Sequence, residues 1–147
     1  MFKNPSALDV AEYFLAKGEL EEDLLSHLKL QKLLYYAQGF HLALAGRRLF
    51  DEDILAWDHG PVVREVYDRY REFGSNPIPR DGRQNGFPFT SSQKDTLDQV
   101  FMAYGQFSAW RLRQLTHDEP PWQETPRNGV IAPSAMKKYF KTQVVTF

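Results

Sequence analysis

Apolar residues at helical spacing dominate the chain. In PSALDVAEYFLAKG, Leu8, Ala11 and Leu15 recur with Val10 and Phe14 at intervals of three and four, the mark of an amphipathic helix. Ser6 is a good N-cap, and Asp9 three residues on makes a variant capping box. Gly18 is placed to close the helix, and the acidic ELEEDLL reads as a solvated connector. In SHLKLQKLLYYAQGFHLALAG, Leu30, Leu33, Leu34, Ala37, Phe40 and Leu44 follow the same rule. Tyr35, Tyr36, Leu42 and Ala43 make that helix apolar almost all round, as expected of a central one. Gly39 inside it costs about 1 kcal/mol relative to alanine. Close approach of a neighbouring helix, or of the Trp57 ring, would explain its presence. Gly46 stops the helix.

RRLFDEDILAW breaks the helical pattern and predicts a small hairpin or strand pair, with Leu49/Phe50 and Ile54/Leu55 flanking an acidic turn. From Gly60, helical spacing returns through Val62, Val63, Val66, Tyr67, Tyr70 and Phe73, ending at Gly74. The segment 75–91 is rich in Pro and Gly yet carries Ile78, Phe87 and Phe89, more apolar than a linker needs. Two helices follow, over 92–104 and 108–116. HDEPPWQETP is a turn-rich link, APSAMKKYFK a last short helix with Pro133 near its first turn, and TQVVTF an apolar tail. The fold class this predicts is mainly α. It is one domain over 1–147, with a core of about 6–140 and about five to six helices. A small β-hairpin or short strand pair precedes the helix opened by Gly60-Pro61.

Composition narrows the function classes. Aromatic residues make up 14%, so the core or an interface should be rich in rings. The formal charge is −1, which lacks the basic footprint of a nucleic-acid binder. Residues 1–73 carry 9 basic and 13 acidic side chains (−4), and 74–147 carry 9 and 6 (+3), too mild a split to name a partner. There is no cysteine, which removes disulfides and thiol chemistry and fits a reducing cytoplasm. The N-terminus shows no signal-peptide pattern, and no apolar run reaches the roughly 20 residues of a membrane span. A soluble cytoplasmic domain is expected.

One constellation invites chemistry: Asp58-His59 with His117-Asp118. Two His and two Asp could hold a metal or move protons if brought together. No His-x-x-x-His or Glu-x-x-His pair, nucleophile elbow or phosphate loop accompanies them. Ring nitrogens in such positions more often bond a turn carbonyl. Gly60-Pro61 reads as a helix start, with Pro at N1 and Asp58 just outside the N-terminus. Trp57 and Trp122 fit core positions with the indole N–H on a carbonyl, or interface anchors. Lys137, Lys138 and Lys141 read as a solvated helix face.

Three separated motifs carry a resemblance. Leu28–Tyr36 (LKLQKLLYY), Ala56–Val62 (AWDHGPV) and Leu115–Trp122 (LTHDEPPW) resemble, in order, those of the SocA-like antitoxin family, the Panacea domain. The resemblance spans about 6–140. It implies a mainly helical, non-enzymatic antitoxin, often prophage-borne and encoded beside a toxin. The toxin would be neutralised by direct protein–protein binding, or in a second mode delivered to a AAA+ protease. No cofactor or metal is expected; charge and hydropathy argue against a nucleic-acid or membrane partner, and Trp57, His59, Gly60, Pro61, His117 and Trp122 are family-motif structural residues. The rival class is a metal-dependent or acid–base enzyme using His59, Asp58 and His117. Candidate partner contacts are Ile78, Phe87 and Phe89 on the loop and Val145 and Phe147 in the tail.

Overall fold

The computed structural model describes residues 3–20, 24–79 and 85–144. Its helices are α1 (Ala7–Leu20), α2 (His27–Ala45), α3 (Arg64–Tyr70, continued by a 3₁₀ turn over Arg71–Phe73), α4 (Ser91–Tyr104), α5 (Ala109–His117), α6 (Pro120–Gln123) and α7 (Pro133–Lys141). One antiparallel hairpin, β1 (Ile54–Trp57) with β2 (Gly60–Val63), precedes α3.

Local caps set most helix starts. Ser6 Oγ accepts from Asp9 N while Asp9 Oδ2 accepts from Ser6 N, the reciprocal box expected from the sequence. Thr90 and Gln93 form a second box at α4, and Ser26 and Ser108 cap α2 and α5. Gly46, at φ +78°, closes α2 by donating to Leu42 O. Gly18 stops nothing; α1 runs on to Leu20. The link after α5 contains one turn of helix, α6, with Pro120 at its start.

Helix α2 is the axis of the fold and packs on α1, α3, α4, α5, α7 and β2. Leu30, Leu33, Leu34, Tyr35, Tyr36 and Ala37 are fully buried. Of the two neighbours proposed for Gly39, α7 is the observed one. A Cβ at Gly39 would stand 2.1 Å from a Phe140 ring carbon, so only glycine admits that ring.

The Gly60-Pro61 expectation is corrected. These residues form strand β2, and the helix begins only at Arg64. Gly60 has φ +110°, which no helical residue adopts. A strand tolerates Pro61 because of the register. Ala56, opposite Pro61, turns its backbone groups outward: its N–H donates to Gly129 O and its carbonyl accepts from Asn128 N. Ala56 and Pro61 are therefore a non-hydrogen-bonded pair, and the missing N–H of proline costs the ladder nothing. The predicted strand partner also changes. Ile54 pairs with Val63 rather than with Leu49 or Phe50, which are buried ahead of the strand.

Candidate functional site

Both outer edges of the hairpin are covered. On the β1 side, Ile131 N donates to Ile54 O, completing the pairing with 128–131. On the β2 side, the partners are side chains of α2. Gln31 Oε1 accepts from Val63 N at 2.8 Å and its Nε2 donates to Val63 O at 3.2 Å. Lys32 Nζ donates to Pro61 O at 3.0 Å. Gln38, two turns along α2, does the same for the chain before β1: its Oε1 accepts from Leu49 N and its Nε2 donates to Phe50 O. Such bonds satisfy edge backbone groups that would otherwise be buried unpaired.

The C-terminal end of α5 meets the hairpin turn. His117 Nδ1 faces Arg113 O at 2.6 Å and its Nε2 faces Asp58 O at 2.7 Å. Both partners are acceptors, so the ring makes both bonds at once only when each nitrogen carries hydrogen. Trp122 Nε1 donates to Trp57 O at 2.8 Å, and its ring lies 4.0 Å from His117. The Arg127 guanidinium also lies over that indole, 3.7 Å from the ring centroid. Two of the sequence motifs, around Trp57 and around Trp122, are thus one tertiary junction.

That junction corrects the chemical reading of Asp58 and His59. Asp58 contributes its backbone carbonyl, not its carboxylate, and His59 is exposed on the turn. Both nitrogens of His117 are taken by carbonyls. Among the described residues, no group of three or more His, Asp or Glu side chains could hold a metal. Contrary to expectation, among the described residues no hydrogen bond from His59 orients a neighbouring turn; His117 does so. The Trp57 ring meets Tyr67 of α3 edge-on at 4.8 Å, not the neighbourhood of Gly39.

Among the buried ionisable groups that the residue pattern did not reveal, Glu119 and Lys32 stand out. Glu119, just ahead of α6, accepts from Tyr35 Oη at 2.9 Å and from Tyr36 Oη at 2.8 Å, with Tyr139 as a third hydrogen-bond partner. Burial pushes its carboxyl up to about 7, against the pull of those hydroxyls. Lys32 is fully buried, and burial together with the charge of Arg113 pushes its amine down to about 7. Gly60 exists partly for Lys32. A Cβ there would stand 2.8 Å from Lys32 Cε and 3.0 Å from Thr116 Oγ1. Adjacent tyrosines and a lysine inside an all-round apolar helix were the available signals, since each must find a polar partner once buried.

Beside Lys32 lies a groove of about 430 Å³ between α2, the hairpin and α3. Trp57, Tyr67 and His27 wall it, and His59 and Arg71 stand at it. The His27 ring packs on Tyr67 at 5.4 Å and accepts from Gln31 Nε2, which requires a neutral imidazole. Burial holds its ionisation down at about 4, in agreement.

The loop candidates divide. Ile78 is 2% exposed and donates its N–H to Leu25 O, so it belongs to the core and is corrected as a partner contact. Phe87 and Phe89 are half-buried and stand edge-on to Tyr13 at 5.2 and 5.3 Å. Tyr13 in turn donates to Asp98 of α4. Val145 and Phe147 lie outside the described residues.

Residues 30–123 match the family described as Antitoxin SocA-like, Panacea domain. The chain is also similar to Antitoxin SocA of Caulobacter vibrioides (strain NA1000 / CB15N), with 30% identity over 134 residues covering 82% of this chain and 71% of that protein. No solved structure matches the chain.

Proposed function

Since the chain belongs to the SocA-like antitoxin family, the Panacea domain, we propose that it is the antitoxin of a toxin–antitoxin pair and silences its cognate toxin by direct binding. The family match over 30–123 carries this reading, because it takes in the central helix, the hairpin and the Trp122 junction together. The chemistry of the motif residues is in keeping with a non-enzymatic role: His117 and Trp122 are spent on backbone carbonyls. A binder of this kind acts stoichiometrically, in the cytoplasm, as one folded unit.

Co-expression with the product of the adjacent open reading frame tests it. The expected result is growth rescue, a co-purified complex, and neutralisation reproduced with the two purified proteins alone. A neighbour that is harmless when expressed by itself defeats the reading. Rescue that disappears in a strain lacking its AAA+ proteases, with no inhibition in vitro, replaces direct binding by proteolytic delivery.

A further inference from the structure

We infer that the groove between α2, the hairpin and α3 receives an acidic segment of the partner toxin, a carboxylate set beside an apolar or aromatic side chain. This rests on the antitoxin reading and names the chemistry of its contact.

The lining has one sign. Arg71 and His59 supply exposed cationic or proton-donating groups above the buried Lys32, and among the described residues no Asp or Glu lines the groove. Carboxylates are close in sequence, at Asp58, Asp68 and Glu72, but none of them forms its wall. The positive end of the 19-residue helix α2 opens at the same place, since its first residue His27 is part of the lining. Lys32 at the floor adds a second kind of argument. It is 0% exposed, its hydrogen-bond acceptor is a neutral carbonyl, and the charge acting on it is another cation, Arg113. A carboxylate entering the groove would bring near it a counter-charge that the described residues do not supply.

The walls fit the rest of such a segment. Trp, Tyr and Arg are the side chains that most often anchor protein interfaces, and Trp57, Tyr67 and Arg71 meet here. The volume suits a couple of side chains, an anchor within a larger interface. A second groove of about 400 Å³, lined by Phe40, Leu44, Val100 and Tyr104, holds no charged side chain among the described residues and gives no comparable indication of an occupant.

Binding of the purified full chain to the adjacent-gene toxin, measured at about 50 and about 300 mM NaCl, tests the proposal. Arg71 and His59 are exposed, so charge reversal should leave the melting curve intact. Arg71→Glu should weaken binding by about tenfold or more at low salt and flatten its salt dependence, and His59→Glu/Arg71→Glu should weaken it further. Arg71→Lys should retain most of the affinity. Lys138→Glu, on the exposed face of α7, should change nothing. Wild-type affinity in the double variant, with neutralisation intact, overturns the groove as the contact and leaves the antitoxin reading standing. Charge reversal that instead disrupts self-association identifies a second copy as the occupant, and likewise overturns it. Failure of the wild-type chain to bind or neutralise the toxin overturns the antitoxin reading first.

Discussion

Glu119 packs against α2 and Lys32 lies on it; both are buried ionisable groups, and the fold treats them in opposite ways. Glu119 is surrounded by hydroxyls from Tyr35, Tyr36 and Tyr139, contributed by two helices. Lys32 has a single carbonyl and a neighbouring cation, with a groove opening beside it. A buried carboxylate whose oxygens are occupied holds helices in register. A buried amine without a counter-ion among the described residues is a stability cost, and a cost retained next to an open aromatic groove points to a ligand for it. The first region fastens the core; the second is poised to be completed from outside.

Breaking the Glu119 knot should have the largest effect. Glu119→Ala strands the Tyr35 and Tyr36 hydroxyls in the core, each at a cost of about 1–3 kcal/mol, or roughly 2–6 kcal/mol in all by chemical denaturation. Glu119→Gln should recover part of that loss; a melt unchanged in the Ala variant would show the hydroxyls finding other partners.

The Lys32 region should announce itself through pH. The unfolded chain holds that proton up to about 10.5, and the folded chain releases it near 7. Between these values the unfolded state binds more protons, so stability rises with pH through this window, and the whole penalty applies below 7. Lys32→Met should remove that rise, a difference of a few kcal/mol across the window. Parallel curves of melting temperature against pH for wild type and variant would show the amine to be unstrained.

Gly60→Ala sharpens the same region from the backbone side. A non-glycine residue at φ +110° costs about 1–3 kcal/mol, and the added Cβ also presses on Lys32 Cε. Pairing it with Lys32→Ala, which removes Cε, should relieve that contact and leave the backbone part, as a double-mutant cycle would reveal. The smallest effect belongs to His59→Ala, which should stay within about 0.5 kcal/mol of wild type because the side chain is exposed. A larger loss would give His59 the structural role that the hairpin assigns to His117.

What could be read from the sequence, and what could not, follows the range of the interactions. The Ser6–Asp9 box, the Gly46 stop and Pro133 near the start of α7 involve groups within one helical turn, so residue order alone specified them. The apolar circumference of Leu30–Leu42 marked α2 as central for a similarly local reason: such a surface can only be buried. The motif residues Trp57 and Trp122 were identifiable, but their meeting across 65 residues was not.

The Gly60-Pro61 dipeptide shows the limit most clearly. Its local chemistry allows a helix start or a strand, and propensity favours the former. What chose the strand lies far away in sequence: Gln31 and Lys32 on one edge, residues 128–131 on the other. The same holds for the two buried charges. Tyr35 and Tyr36 find Glu119 across 84 and 83 residues, and Lys32 finds Pro61 across 29. Hydrogen bonds that close within a turn form wherever their residues occur. The placement of a charge in the core exists only once distant segments have packed, and that packing made one motif a hairpin, one lysine a groove floor and one glutamate the tie between helices.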